Sequence, residues 1–177
     1  MPTKSRNASN TGSHAAASTD ACIRLATAKD VAVIHALLLD LARSLNETDS
    51  MRATEDDLMR EGFGASPGFH VLLAERNAEP VGMTLFFRAY SSWRGRSGLY
   101  VQDLHVIASE RGTGLGQNLL AAAARMGLDL GCSHLRLSVA VSNRAGRGFY
   151  NHLGLQERSD EMVCQISDSA FEALAKK

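Results

Sequence analysis

The chain has 177 residues, of which 45% are hydrophobic, and it carries 19 basic and 19 acidic side chains. The length and apolar content are sufficient for one domain with its own core, which we expect over 21–177. A formal net charge of zero gives no reason to expect nucleic acid or an anionic membrane as partner. No apolar run reaches the length of a membrane span, and no membrane partner is expected. Residues 1–20 are small and polar, and we expect a disordered tail there.

The three cysteines, Cys22, Cys132 and Cys164, are far apart in the chain. Their spacing matches no common set of metal ligands, so no metal site is predicted from them. An odd number of widely separated thiols is typical of a protein from a reducing compartment. We therefore predict reduced, mostly buried thiols and a cytoplasmic location.

The first half of the chain shows the patterns of two helices and four strands. Apolar residues at helical spacing predict a helix over 28–45 that begins after Thr27, and Thr54 opens a shorter helix over "EDDLMREGF". The predicted strands are "CIRLAT", "FHVLLAER", "VGMTLFFRAY" and "LYVQDLHVIA". The segment "NAEP" predicts a tight turn between the second and third strands, and the loop "SSWRGRSG" leads into the fourth.

The second half contributes a glycine-rich segment, a helix over 116–130 and a strand "HLRLSVAV". A helix "NRAGRGFYNHLG" closed by Gly154, a hairpin from "LQE" and "MVCQIS", and a short terminal helix complete the prediction. The element order β-α-α-β-β-β-α-β-α-β-β predicts a mixed sheet with helices packed on it. The sequence shows no internal repeat and no second domain.

Three alternate glycines, Gly112, Gly114 and Gly116, lie between a predicted strand and a predicted helix. They leave successive N–H groups uncovered at a helix N-terminus, which favours an anion such as a pyrophosphate. The segment is not a Walker loop, because no Gly-Lys-Ser/Thr follows, and the third glycine comes one residue too early for the dinucleotide fingerprint. The alternative is a glycine-rich turn that packs a helix on a strand. Arg111, just ahead of the glycines, favours phosphate binding.

The segment "LHVIASERGTGLGQNLL" resembles the acyl-CoA signature of the GNAT superfamily of N-acetyltransferases, Arg/Gln-x-x-Gly-x-Gly/Ala after a strand. Arg111, Gly114 and Gly116 carry the match, and Ala108 stands where proline is common. The downstream "NRAGRGFYNHLG" is similar to the second half of that family's site. The resemblance implies an α/β (α+β) fold, in which a central mixed, mostly antiparallel, twisted sheet of six to seven strands is flanked by about four helices.

Within the superfamily, the chain is most similar to the diamine and polyamine (spermidine/spermine) acetyltransferases. "FRAYSSWRGRSGLYVQDLHV" resembles their Tyr-x-x-Trp-x-Gly loop and the strand that carries "Y-L-E-D". The resemblance implies direct transfer of acetyl from acetyl-CoA to a primary amine of a diamine, a polyamine or a lysine-like compound. It implies no metal, and it implies a homodimer. The residues it assigns to acetyl-CoA are Leu104, His105, Val106, Arg111, Gly112, Thr113, Gly114, Leu115, Gly116, Gln117, Asn143, Arg144, Ala145 and Gly146.

The resemblance makes Tyr150 the general acid that protonates the departing CoA thiolate, although a helical tyrosine beside Phe149 could also be a core aromatic. Asp103 matches the acid that the polyamine enzymes place near the acceptor. A carboxylate there could pair with a substrate ammonium, or it could be an ordinary strand acid that faces solvent. We expect both residues to be catalytic.

Gln102 departs from the subgroup, which usually has a glutamate there to relay the amine proton. Glutamine cannot accept that proton, so Asp103, His105 or a water chain takes it, or the amine arrives neutral. His105 has a suitable pKa, but a histidine in an apolar strand is more often structural.

The acceptor end of the site departs in a second place. The subgroup has acidic and aromatic residues near Ser44 and Leu45, so a long polycation is a weaker candidate here. Glu47, Asp49 or Glu161 could supply replacement charge. Trp93 could flank an alkylammonium through a cation–π contact or anchor its loop. We expect Trp93, Gln102, Asp103 and Glu161 to bind substrate.

Two other functions stay open. One keeps the fold and replaces the small amine by an amine of a protein or peptide, against which the Trp93 loop argues mildly. The other is a non-catalytic acetyl-CoA-binding module, which Gln102 and Leu45 favour and which Tyr150 and Asp103 oppose.

Overall fold

The computed structural model describes residues 20–177, so the predicted disordered tail over 1–20 lies almost wholly outside the described residues. The chain divides into two compact units, one ending at Ser138 and one formed by Val139–Lys177. We describe each unit by itself, and the single domain over 21–177 stays a prediction. The first unit contains β1 (Cys22–Leu25), α1 (Val31–Leu45), α2 (Glu55–Phe63), β2 (His70–Arg76), β3 (Glu79–Ser91), β4 (Arg96–Val106), α3 (Leu115–Asp129) and β5 (Leu135–Leu137). The second contains α4 (Arg144–His152) and α5 (Asp168–Ala175).

The strands form one five-stranded sheet in the order β1-β2-β3-β4-β5. The first three pairs are antiparallel, and β4 pairs with β5 in parallel, so the predicted mixed, mostly antiparallel sheet is confirmed. Asn77 and Ala78 have φ values of 52° and 64° and form a two-residue turn between β2 and β3. Left-handed turns of this kind match the twist of antiparallel strands. The tight turn predicted from the segment "NAEP" is therefore confirmed.

The two faces of the sheet carry different helices. Met83 belongs to the core cluster that includes residues of α1 and α2, among them the fully buried Ile34. Successive residues of a strand point to opposite faces, and a Cβ added at Gly82 would lie 3.4 Å from Leu119 of α3. The sheet therefore lies between α1 and α2 on one face and α3 on the other.

The helix starts follow the predicted capping chemistry. The Asp57 N–H donates to Thr54 Oγ1 at 3.2 Å, and the Thr54 N–H donates to Asp57 Oδ2 at 3.0 Å, forming a capping box before α2. The Thr54 bonds lower the pKa of Asp57 to about 2. After Thr27, a 3-10 turn over Ala28–Asp30 comes first, so α1 begins three residues later than its periodicity predicts.

Several sequence predictions about individual elements are wrong. The described residues 155–167 contain no strand, so the predicted hairpin is missing and the described sheet has five strands rather than six or seven. A strand requires a bonded neighbour, and in this segment Met162 and Val163 are exposed. The predicted strand "HLRLSVAV" is limited to β5, and five α-helices are described where about four were expected.

The cysteines are free, as predicted, but Cys22 and Cys164 are exposed and Cys132 alone of the three is buried. Cys22 lies on β1, at the edge of the sheet, where one side of the strand is open. Among residues 20–177, no helix is both long and apolar enough to cross a bilayer. The same residues contain no cluster of three or more His, Cys, Asp or Glu side chains suited to a metal ion.

Candidate active site

The site begins with one extra residue in β4. Leu85 of β3 pairs with Asp103 and Phe86 pairs with Val101, so Gln102 has no partner on β3 and forms a β-bulge. Because side chains alternate along a strand, an extra residue reverses which face the following side chains occupy. Asp103 therefore lies on the face of its partner Leu85, which is the face covered by α1 and α2.

Beyond the bulge, one edge of β4 has no strand paired with it among residues 20–177, and we call this the open edge. Parallel pairing with β5 covers Leu99 to Val101, whereas pairing with β3 continues to Val106. The Ile107 N–H donates to the β3 side, to the Val81 carbonyl at 3.1 Å. Since N–H groups alternate between the edges of a strand, those of Leu104 and Val106 point to the edge where pairing with β5 has ended. Two N–H donors on an open edge can bind a carbonyl oxygen, as the resemblance implies for the thioester.

The glycine segment has the backbone of an anion site. Gly112 and Gly114 have φ values of 81° and 86°, in the left-handed region that favours glycine. The α3 helix begins at Leu115, one residue earlier than predicted, and the Asn118 N–H donates to the Gly114 carbonyl at 3.0 Å. Gly116 lies within the helix, so two of the three glycines need the unusual φ. The first-turn N–H groups of α3, from Leu115 to Gln117, have no partner within the helix and can bind an anion.

Side-chain bonds attach this loop to the sheet. Arg111 Nε donates to the Val106 carbonyl at 2.9 Å, on the open edge of β4. Thr113 Oγ1 donates to the Glu110 carbonyl at 2.8 Å, and the Glu110 carboxylate pairs with Arg76 of β2 at 3.1 Å. The loop is therefore fixed at both β4 and β2.

Asp103 is a half-buried carboxyl group. Burial raises its pKa to about 6 from an ordinary value of 3.8. Its carbonyl accepts a bond of 3.0 Å from the hydroxyl of Thr84, which is fully buried. Above pH 6 the side chain is a poorly solvated anion, for which an ammonium group is a suitable partner.

His105 lies on the same face as Asp103 and is 2% exposed. Its Nε2 lies 2.8 Å from Oδ2 of Asp40, whose side chain is 46% exposed on α1. Burial lowers the pKa of His105, while the bond and the charge of Asp40 oppose that shift, and the charge of Arg111 adds to it. Sequence reasoning did not identify Asp40, although a lone acid among the leucines of "HALLLDLARSL" was a usable signal.

An aromatic pair adjoins the carboxyl group along the same face of the sheet. Phe87 stacks on Tyr100 with ring centroids 5.2 Å apart, and the Tyr100 hydroxyl lies 2.8 Å from Ser138 Oγ. The sequence analysis gave neither ring a role. Trp93, in the turn between β3 and β4, is 100% exposed, which rules out its burial as a loop anchor in this unit and leaves its substrate role a prediction.

In the second unit, Asn143 caps α4. Its Oδ1 accepts from the Gly146 N–H at 2.9 Å, and a Cβ at position 146 would lie 2.8 Å from the Asn143 amide nitrogen. The spacing of this Asn and Gly therefore has a local structural cause. Arg144 and Ala145 are exposed in the first turn. The roles of all four residues in CoA binding stay predictions.

Tyr150 lies near the end of α4, half-buried, with its ring 5.2 Å from that of Phe149. Gly154 closes the helix at a φ of 86°, and the Leu155 N–H donates to the Tyr150 carbonyl at 3.0 Å. Glu161 is exposed and pairs with Arg158 at 3.2 Å. The first unit thus brings together Gln102 to Val106 and Arg111 to Gln117, while Tyr150 and Glu161 belong to the second unit, and their site roles stay predictions.

Comparison with known proteins relates this site to a family. The sequence profile of the Acetyltransferase (GNAT) family matches residues 32–155. The chain is 34% identical over 146 residues to a thialysine N-epsilon-acetyltransferase of Bos taurus, covering 78% of this chain and 85% of the relative. It is 32% identical over 146 residues to a human spermidine/spermine N(1)-acetyltransferase-like protein 1, covering 78% of this chain but 21% of that protein.

Among solved structures, an integron cassette protein from the mobile metagenome of V. cholerae has a TM-score of 0.75. The match covers 89% of this chain and 98% of the other at 20% sequence identity. At that identity the likeness supports the fold alone.

Proposed function

The chain belongs to the acetyltransferase (GNAT) family, and on that premise we propose that it transfers acetyl from acetyl-CoA to a primary amine of a small molecule. The observation that carries the proposal is the open edge of β4 directly ahead of the glycine loop. The N–H groups of Leu104 and Val106 bind the thioester carbonyl there. The N–H groups from Arg111 to Gln117 bind the pyrophosphate.

The chemistry needs a neutral amine, a polarised carbonyl and a proton for the leaving group. The amine nitrogen forms the C–N bond, the C–S bond breaks, and the thiolate takes a proton. Tyr150 supplies that proton, and Asn143 to Gly146 complete the binding of CoA. The sequence pattern of α4 and its flanks supports these roles.

The acceptor is a diamine or a lysine-like amine rather than a long polycation. Asp103 holds its ammonium group, with Gln102, Trp93 and Glu161 as the further substrate residues. The half-buried carboxyl group and the relative named for thialysine support this assignment, and the relative named for spermidine/spermine keeps a polyamine as the alternative acceptor. Leu45, 42% exposed at the end of α1, offers no charge to a long polyamine.

The deciding experiment measures CoA release from acetyl-CoA with putrescine, spermidine, spermine, thialysine, lysine and a lysine-bearing peptide. The pH range runs from about 7 to 9, below the ionisation of alkyl amines. Saturable turnover of diamines or lysine-like amines is expected. Turnover of the peptide alone would replace the proposal by protein acetylation. Binding of acetyl-CoA without turnover of any amine would leave a CoA-binding module.

The change Tyr150→Phe tests the proton donor. Loss of a general acid should lower kcat about 100-fold, while the melting temperature and the affinity for acetyl-CoA stay near those of the wild type. Steady-state kinetics and calorimetric titration with acetyl-CoA measure the two effects. An unchanged kcat would remove the acid role and leave Tyr150 as a packing residue.

We further propose that the protein is a cytoplasmic homodimer. The free cysteines support a reducing compartment. The second unit exposes large apolar side chains, including Met162 at 91%, Val163 at 79% and Phe171 at 60%, and a second copy of the chain would remove such apolar surface from water. Light scattering of the purified chain should give twice the monomer mass. A monomer at micromolar concentration would contradict the dimer.

A further inference from the structure

The proton acceptor for the amine is the unassigned part of the proposed reaction. An alkyl ammonium with a pKa near 10 is only about one thousandth neutral at pH 7. Gln102, the bulged residue of β4, carries an amide that cannot accept a proton. Asp103 lies on the adjoining position, where its negative charge is best used to hold the ammonium. A second group on the same face is therefore needed to remove the proton.

We infer that His105 is this general base and that Asp40 is its positioning residue; the inference rests on the proposed acetyl transfer. The 2.8 Å contact joins Nε2 of His105 to Oδ2 of Asp40. An ionised carboxylate only accepts hydrogen bonds, so Nε2 carries the hydrogen and Nδ1 keeps a lone pair. This is the arrangement in which a carboxylate orients a histidine and stabilises the imidazolium that forms.

The ring nitrogen with the lone pair is the one that the contact with Asp40 leaves unused. His105 is 2% exposed, and its recorded hydrogen bond uses Nε2. No buried side-chain nitrogen or oxygen in the described part of the chain lacks a hydrogen-bond partner. We therefore assign Nδ1 to the water that carries the proton.

The distance along β4 suits a relay through one water. Positions 103 and 105 lie on the same face, with Cα atoms about 6.6 Å apart in an extended strand. An ammonium held by Asp103 passes one proton through water to Nδ1, which leaves a neutral amine and an imidazolium. The amine nitrogen then forms the C–N bond as the C–S bond breaks, Tyr150 protonates the leaving thiolate, and the proton that the new amide nitrogen loses restores Tyr150 through solvent water. The imidazolium, stabilised by Asp40, releases its proton to bulk water before the next turnover.

The charged groups around His105 are consistent with this role. Asp40 faces it from α1, Asp103 shares its face of β4, and Arg111 acts on it from the glycine loop. From β3, the paired residue is the uncharged Met83. Burial lowers the pKa of the ring, so His105 is neutral and able to accept a proton at pH 7.

The competing explanation is that the contact only ties α1 to β4. A tie alone would affect the stability of the fold, whereas a base and its partner also determine where kcat falls as the pH is lowered. The diagnostic variant is Asp40→Asn, because the side chain is 46% exposed and the replacement keeps its shape. The control is Asp129→Asn, which removes an exposed acid from the far end of α3.

The measurement is kcat at saturating acetyl-CoA and saturating amine, using the best substrate of the panel, from about pH 5 to 9 around the ordinary range of histidine. Asp40→Asn should lower kcat about tenfold or more through loss of the correct tautomer. It should also shift the acid limb of kcat to lower pH, because the lost carboxylate had raised the pKa of His105. Asp129→Asn should leave both unchanged.

Titration of the His105 ring by NMR in wild type and Asp40→Asn reports the same pKa change without catalysis. His105→Gln, checked for a native melting transition, should lose about 100-fold in kcat, as expected for a general base. A folded Asp40→Asn protein with wild-type kcat and acid limb would overturn the inference alone. A wild-type protein that binds acetyl-CoA and turns over no amine overturns the proposed function and, with it, this inference.

Discussion

The two halves of β4, on either side of Gln102, have the same neighbour on one edge and differ on the other. From Leu99 to Val101 the strand is bonded to both β3 and β5, and its side chains Leu99 and Val101 are each 2% exposed. From Leu104 to Val106 it is bonded to β3, and its second edge is open. The comparison shows that one inserted residue separates the part of β4 that is paired on both edges from the part that is paired on one.

The most severe test of this comparison deletes Gln102. Removing the extra residue lets β4 pair regularly with β3, with Val101 opposite Phe86 and Asp103 opposite Leu85 as before, so the side chains keep their faces and the local bend and twist of the bulge are lost. We expect that distortion to be what ends the pairing with β5, so acetyl transfer should fall strongly, as measured by CoA release. The control is Gln102→Glu, which keeps the bulge and should keep the activity. A deletion variant that remains active would mean that the bulge does not create the site.

The change Asp103→Asn separates an effect on catalysis from an effect on stability at the first residue after the bulge. Loss of a charged partner for the ammonium should lower kcat/KM about 10- to 100-fold. The same change should raise the free energy of unfolding by ~2 kcal/mol at pH 7, because the wild-type carboxylate is ionised in a poorly solvated position.

The pH dependence of that stability gain has a defined sign. The pKa of Asp103 is raised from 3.8 to about 6 in the folded chain. Below pH 3.8 the wild-type side chain is protonated in both states, so variant and wild type should be equally stable. The gain should appear as the pH rises from 4 to 6 and stay constant above that. Urea unfolding at three pH values measures it, and a variant less stable than wild type at pH 7 would contradict the assigned burial.

A smaller effect is expected from two glycine changes, one beside each half of β4. A Cβ at Gly82 would lie 2.8 Å from the His105 carbonyl, and one at Gly127 would lie 2.6 Å from Cδ1 of Leu99. Gly82→Ala must displace backbone, so it should cost ~1–3 kcal/mol of stability and lower kcat as well. Gly127→Ala overpacks the buried side chain of Leu99 while it gains helix propensity, so it should cost a similar ~1–3 kcal/mol but leave kcat unchanged. Equal effects of the two variants on kcat would remove the distinction between the halves.

The smallest effect is expected at the attachment of the glycine loop to β2. Arg76→Gln breaks a partly buried ion pair with Glu110, whose side chain is 16% exposed. The loss of ~0.5–1 kcal/mol should raise the Kd for acetyl-CoA about two- to fivefold and leave kcat unaltered. Calorimetric titration at low and high salt checks this change in Kd. Because salt screens the ion pair, the difference in Kd between variant and wild type should be larger at low salt. A change in kcat without a change in Kd would mean that the glycine loop does not bind acetyl-CoA.

The sequence predicts the local parts of this structure well. The α2 bounds, the capping box at Thr54 and the closure of α4 at Gly154 depend on residues within a few positions of each other, and all are confirmed. The order of the strands also follows from short connections, of which the two-residue turn after Arg76 is the clearest. Local chemistry and hydrophobic period determine these features, so one sequence is enough to identify them.

The parts that sequence reasoning missed depend on contacts between distant positions. Asp40 and His105 are 65 residues apart, and nothing in the local pattern of β4 indicates its partner on α1. The bulge at Gln102 is likewise invisible in β4 alone, because the register is set by pairing with β3. The hairpin predicted over 155–167 is absent for a related reason, since apolar alternation alone does not supply the hydrogen-bonded neighbour that a strand requires.

The open edge of β4 offers main-chain N–H groups, which every residue except proline possesses. Single substitutions of Leu104 or Val106 can therefore change a side chain without deleting the donors proposed to bind the acetyl carbonyl. Evolution can alter the acceptor face, where the side chains of Asp103, Phe87 and Tyr100 lie, while this part of the donor machinery stays intact. A fold of this kind can diverge in the amine that it accepts, because the proposed contacts with the acetyl group come from the main chain, which substitutions alter least.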